Sequence, residues 1–317
     1  MCKPTTASPK GGENNEATAT TKDNRSTNKS FLPSVEIELS DFFDVSKPWL
    51  LVQDGNYKGY FNNVPAVFRV GPWNIACCLY LFAIISWVVF ECVCCYTNPP
   101  NVPPTDYHSS FGTDTWQWWY NVAGFAWTFY VAAKVKKDWG WSAWFLYTMQ
   151  SWTLIIVRHG LSVLAPFVPA AAPLNELLRF PMLLQTTITF VLWNFLLMPA
   201  ITFTMKDPKK RSGFLKFCFG FLLSQLHIAN LPLAVMNGVW GSPARELNQM
   251  DFCMALGLAL QYIALYLFVL DRIGVHFYFV FSPRTPLAII GWTTFLGCLF
   301  AGFAMFKNAL VDYGVAA

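Results

Sequence analysis

"WNIACCLYLFAIISWVVFECVCC", residues 73–95, holds one charged side chain, Glu91, in twenty-three positions. As a helix at ~1.5 Å per residue it would span about 34 Å, enough for the ~30 Å hydrocarbon core of a bilayer. Backbone N–H and C=O groups in hydrocarbon must bond within their own segment, so a run of this kind specifies a helix.

Working outward, the first span covers about 73–96, and six further apolar runs follow at about 116–133, 141–165, 181–204, 213–236, 253–281 and 286–306. The whole chain is 55% hydrophobic and 17% aromatic and only 13% charged, about half the charge of an ordinary soluble domain. Tryptophans gather at the run ends (Trp116, Trp118, Trp119, Trp139, Trp141, Trp240), where interfacial rings belong. The expected fold is all-α, a polytopic transmembrane helix bundle of six to seven spans without internal repeats. It occupies 73–306, between a short C-terminal tail (307–317) and a short soluble or interfacial segment (36–72). Residues 1–35 are rich in Thr, Asn and Lys and read as a disordered polar tail. No apolar stretch stands near Met1, so no cleavable signal peptide is expected.

Basic residues alternate between loops. Lys134, Lys136 and Lys137 share one, Lys206, Lys209, Lys210 and Arg211 lie two loops later, and Arg272 and Arg284 border the loop two after that. The intervening loops carry Arg179 or Arg245 alone, or none. The positive-inside bias then places the N-terminus in the cytosol. The sequons at Asn24 and Asn28 would accept glycans only with the opposite orientation. The expected location is an integral membrane of the endomembrane system, the endoplasmic reticulum or the plasma membrane.

Nine cysteines include Cys77 and Cys78 at one end of the first span and Cys92, Cys94 and Cys95 at the other. They read as small apolar filler, as juxtamembrane palmitoylation sites (Cys77 and Cys78 foremost), or as partners in a lumenal disulfide. No His/Cys spacing suits zinc, so neither metal nor cofactor is expected. A net charge of +4 gives nucleic-acid binding no support. The expected partners are membrane lipids.

Polar side chains at membrane depth face a bundle interior, and they map it. The third run contributes Thr148, Gln150, Ser151, Thr153, Arg158 and His159, and the fourth Gln185, Thr186, Thr187, Thr189 and Asn194. In the fifth, "SQLHIANLPLAVMN" (224–237) sets Ser224, His227 and Asn230 three apart on one face, with Asn237 extending the stripe. The sixth ends in Asp271, Arg272, His276 and Tyr278, the Asp–Arg pair reading as an interfacial ion pair. His227 lies some thirteen residues into its run, too deep to reach an interface.

Three stretches resemble the androgen-induced protein family and its bacterial Pr6Pr-type relatives: "FLYTMQSWTLIIV" (145–157), "LHIANLPLAVMN" (226–237), and "LQYIALYLFVLDRIGVHFYFVF" (260–281) followed by "IIGW" (289–292). The likeness covers about 116–306. Animal members of that family are intramembrane hydrolases of fatty acid esters of hydroxy fatty acids, so the resemblance implies hydrolysis of a lipid ester substrate. The family's threonine nucleophile falls on Thr148 and its histidine on His227. Ser224, Asn230 or Gln150 would supply oxyanion donors. Ser224 stands where animal members carry a second histidine. By axial count from the run starts, Ser151 or Thr153 would meet His227 more nearly level than Thr148 does.

Two other functions fit the same residues. One is a non-catalytic scaffold or lipid-binding protein whose polar stripes join helices. The other is a small-solute transporter lined by Gln185, Asn194, His227 and Asn230. The last span has no mid-depth lysine, which disfavours a retinal receptor.

Overall fold

The computed structural model describes residues 72–97, 112–271 and 278–312, and among these the chain is helical with no β-strand. In order come α1 (Ile75–Thr97), α2 (Trp116–Trp139), α3 (Tyr147–Leu164), the short α4 (Ala171–Leu177), α5 (Arg179–Val191) and α6 (Met198–Thr204). Then follow α7 (Pro208–Cys218), α8 (Phe221–Ser224), α9 (Asn230–Val235), α10 (Gln249–Leu265) and α11 (Leu287–Asp312). The glycosylation candidates Asn24 and Asn28 lie outside the described residues, as do Arg272 and His276.

Four helical stretches are long and apolar enough to cross a membrane: Ile75–Thr97, Ala171–Thr204, Gln249–Leu270 and Leu287–Lys307. A fifth arises if α7 and the segment Phe221–Trp240, bent by 59° at a short break, form one span. This is fewer than the six to seven expected. The shortfall lies in α2 and α3, which form as helices but carry too many polar groups. α2 includes Gln117, Asn121, Lys134, Lys136, Lys137 and Asp138, and α3 includes Thr148, Gln150, Ser151, Arg158 and His159.

Helix boundaries move for identifiable reasons. Thr115 caps α2 by accepting from Trp118 N–H, and Gly140, at φ +76°, ends it in a backbone region that a side chain would strain. Residues 141–145 then form a 3₁₀ turn, so α3 begins at Tyr147 rather than at 141. Asp207 caps α7, and Pro208 sits at its first position, where a missing N–H costs nothing. Asn248 and Asp251 make a reciprocal capping box that starts α10.

Four stretches are π-helical: Leu192–Leu197, Gln225–Ala229, Met236–Trp240 and Tyr266–Leu270. π-Helix accounts for well under ~1% of residues in ordinary proteins and favours functional positions. Two of the four pack against each other around His227.

Side-chain bonds order the bundle's two ends. At one end, Trp118 Nε1 donates to the Val163 carbonyl (3.1 Å), and Cys95 Sγ meets Cys253 Sγ, so α2 and α10 begin where α1 and α3 finish. At the other, Asn74 N–H donates to the Pro283 carbonyl (2.8 Å) and Tyr262 Oη to the Phe145 carbonyl (3.4 Å). The core between is built of large side chains, with Trp152, Trp292, Phe180, Met149 and Tyr266 all buried.

Candidate active site

His227 sits in the π-helical turn 225–229, and Thr148 is the second residue of α3. Thr148 Oγ1 lies 3.2 Å from His227 Nε2. His227 Nδ1 lies 3.2 Å from the Leu223 carbonyl oxygen. A carbonyl can only accept, so in the neutral ring Nδ1 carries the proton and Nε2 presents a lone pair. The Thr148 hydroxyl therefore donates to Nε2. This is the hydrogen-bond polarity of a nucleophile with its general base.

The π register supports the ring. In that register the carbonyl of residue 227 would take its hydrogen bond from the N–H of residue 232, which is Pro232 and has none. Leu231 N–H turns to the Asn230 side-chain oxygen (2.8 Å). The His227 carbonyl is served by Asn194, whose Nδ2 donates to it at 2.7 Å from the neighbouring π-helical stretch. Trp193, one residue earlier, stacks on the imidazole with centroids 4.2 Å apart. His227 is thus held by its backbone, its Nδ1 and one face, leaving Nε2 for Thr148. Both residues keep 8% exposure, so the pair is buried without being sealed.

The sequence-predicted residues divide between two places. Ser151 and Asn230 are buried beside the pair in sequence, one helical turn from Thr148 and His227, and each has a side-chain atom, Ser151 Oγ and Asn230 Nδ2, without a hydrogen-bond partner. Gln150 and Ser224 are half-buried. Neither Ser151 nor Thr153 takes the place of Thr148. Thr153 Oγ1 is turned back onto the Met149 carbonyl (2.7 Å), and the axial mismatch expected of Thr148 falls away because α3 and α8 do not start level.

Arg158 and His159 do not belong to this pair. They lie ten and eleven residues past Thr148, about 15 Å along α3, in a second buried network. His159 Nδ1 donates to Asn121 Oδ1 (2.8 Å), which also accepts from Asn237 Nδ2 (2.6 Å). The polar stripe of the fifth run is therefore split, with His227 serving one cluster and Asn237 the other. Arg158 Nε donates to Asn175 Oδ1 (2.9 Å) and Arg158 Nη2 to Ser242 Oγ (3.0 Å).

Glu176 anchors this network. Its carboxylate lies 2.5 Å from Arg245 Nε, 3.3 Å from Arg179 Nη1 and 3.7 Å from Arg158 Nη2. Arg245 also grips Asp251 with two nitrogens at 2.7 Å. Burial opposes the Arg245 charge, but the Asp251 and Glu176 carboxylates outweigh it and raise its pKa. From the sequence, Arg158 is expected in the third run and Arg179 and Arg245 in separate loops, with nothing joining them, although Glu176 and Arg179 in "NELLR" stand at helical i,i+3 spacing.

Asp271 pairs with Arg284 and accepts from Trp73 Nε1 (2.9 Å); the Asp271–Arg272 pair expected from the sequence involves a residue outside the described ones. Tyr278 is half-buried, and its carbonyl accepts from Tyr266 Oη (2.8 Å). Cys77 is fully buried, with its thiol donating to the Thr285 carbonyl (3.2 Å). An acyl chain there would require unpacking, whereas Cys78 is half-buried.

No family model, curated protein or solved structure matches the chain.

Proposed function

We propose that the chain is a multi-pass membrane hydrolase that transfers an acyl group from a lipid ester to Thr148, with His227 as general base. The observation that carries this reading is the 3.2 Å contact from Thr148 Oγ1 to His227 Nε2, in a ring whose other nitrogen is tied to the Leu223 carbonyl. The resemblance to the androgen-induced protein family, which matched these two residues, points the same way.

The chemistry follows from the polarity. Thr148 Oγ attacks the ester carbonyl carbon while its proton passes to Nε2. The tetrahedral oxyanion is steadied by buried donors, for which the unpartnered Asn230 Nδ2 is suited. Collapse expels the alcohol, which takes the proton from Nε2, and leaves an acyl-threonine. Water, deprotonated by the same nitrogen, then releases the fatty acid and restores Thr148.

In this reading the chain makes seven passes, adding α2 and α3, whose buried Asn121, Thr128, Ser151, Arg158 and His159 face the bundle interior, to the four apolar stretches and the bent pair. Lys134, Lys136, Lys137, Lys206, Lys209, Lys210 and Arg211 fall at one end. Arg179 and Arg245, at the other, are neutralised by Glu176 and Asp251. The positive-inside bias makes the first end cytosolic, with Thr148 and His227 in that half of an endoplasmic reticulum or plasma membrane.

The test is labelling of the full-length protein in its membrane by a fluorophosphonate carrying an acyl-like chain. Labelling of Thr148 that is lost in Thr148→Ala and in His227→Ala supports the assignment. Equal labelling of all three proteins overturns it.

A further inference from the structure

Cys95, in the last turn of α1, and Cys253, in the first turns of α10, bring their sulfurs to 2.8 Å although they are 158 residues apart in sequence. Both side chains are buried. Two neighbours fix the arrangement: the Cys253 thiol lies 3.6 Å from the Glu91 carbonyl, and Cys92, one turn before Cys95, lies 4.0 Å from the Cys253 carbonyl. Thiols in this register need little movement to reach the ~2.05 Å of a disulfide. The pair lies at the bundle end that holds Asp251 and Arg245, opposite the lysine-rich end.

We propose that Cys95 and Cys253 are joined by a disulfide in the mature protein, stapling α1 to α10 on the exoplasmic side. The inference rests on the orientation proposed above, because disulfides persist in the lumen and extracellular space and are reduced in the cytosol. The oxidant is a disulfide of the thiol–disulfide exchange class. One of the two thiolates attacks it to form a mixed disulfide and the second displaces the carrier. The two cysteines lose two electrons and two protons, and the oxidant leaves as two thiols. Cys92 is the competing partner and would give a different link.

The experiment takes the full-length protein from its membrane, unfolds it in dodecyl sulfate so that burial protects nothing, and blocks free thiols with N-ethylmaleimide. Reduction and an isotopically heavy maleimide follow, with peptide mapping before and after. The expected map has the Cys95 and Cys253 peptides linked before reduction, both heavy-labelled after it, and Cys92 light-labelled. Light label on both Cys95 and Cys253, or a link from Cys253 to any other cysteine, overturns the proposal. The wild-type map decides, so no variant need fold. A glycosylation acceptor inserted between residues 98 and 111 reads the orientation separately. Glycosylation with free thiols would sink the disulfide alone, and no glycan with free thiols would sink both.

Discussion

Asn194 Nδ2 donates to the backbone carbonyl of His227 at 2.7 Å, filling the vacancy that Pro232 creates in the π-helical turn. This bond reaches the imidazole through the main chain, so Asn194 is a positioning residue. Asn194→Leu would strand a buried carbonyl at a cost of about 1–3 kcal/mol. It should lower fluorophosphonate labelling by roughly tenfold through misplacement of the base. Adding Pro232→Ala supplies the missing N–H and should recover part of the loss. If the double variant is no better than the single one, the π-register account is wrong.

Gly124 faces the His159 ring so closely that a Cβ there would come within 2.5 Å of Cε1. His159 cannot swing aside without breaking its bond to Asn121. Gly124→Ala should therefore destabilise the bundle by about 1–3 kcal/mol, as overpacking does. A lowered melting midpoint in detergent would show it, and an unchanged midpoint would mean that the network is looser than its geometry.

Glu176 compensates two buried arginines, Arg158 and Arg179, and the part-buried Arg245, whereas the Lys134–Asp138 pair lies on a helix face with side chains 38% and 37% exposed. Glu176→Gln should cost about 3–5 kcal/mol, as uncompensated buried charges do. Lys134→Ala should cost no more than ~1 kcal/mol. Parallel melting of the two variants checks the ranking, and equal losses would contradict it.

The helical class was legible because apolar runs near twenty residues admit few other structures, and 73–95 alone settled it. The pair at Thr148 and His227 was legible through polar residues that hydrocarbon would not tolerate unpartnered. The level at which the two meet was not. It depends on the 3₁₀ turn at 141–145, the break at Gly220 and the π register at 225–229, and π-helix has no composition signal. The Glu176 network was hidden for another reason. Apart from Arg158 its members sit in what read as loops, and Glu176 and Arg245 are 69 residues apart, so no local spacing announces the meeting of those two. Counting span ends by hydropathy also treated α2 and α3 as ordinary spans, although Arg158 and His159 find their side-chain partners on other helices and loops.

The most direct measurement is covalent capture at Thr148. Full-length protein in its native membrane is treated with an alkyl fluorophosphonate and mapped by tandem mass spectrometry, for the wild type and for Thr148→Ala, Thr148→Ser and His227→Ala. The account predicts an adduct on Thr148, none in Thr148→Ala, retained labelling in Thr148→Ser, and a fall of about 10²-fold or more in His227→Ala. An adduct on another residue, or labelling of Thr148 that ignores His227, would contradict it.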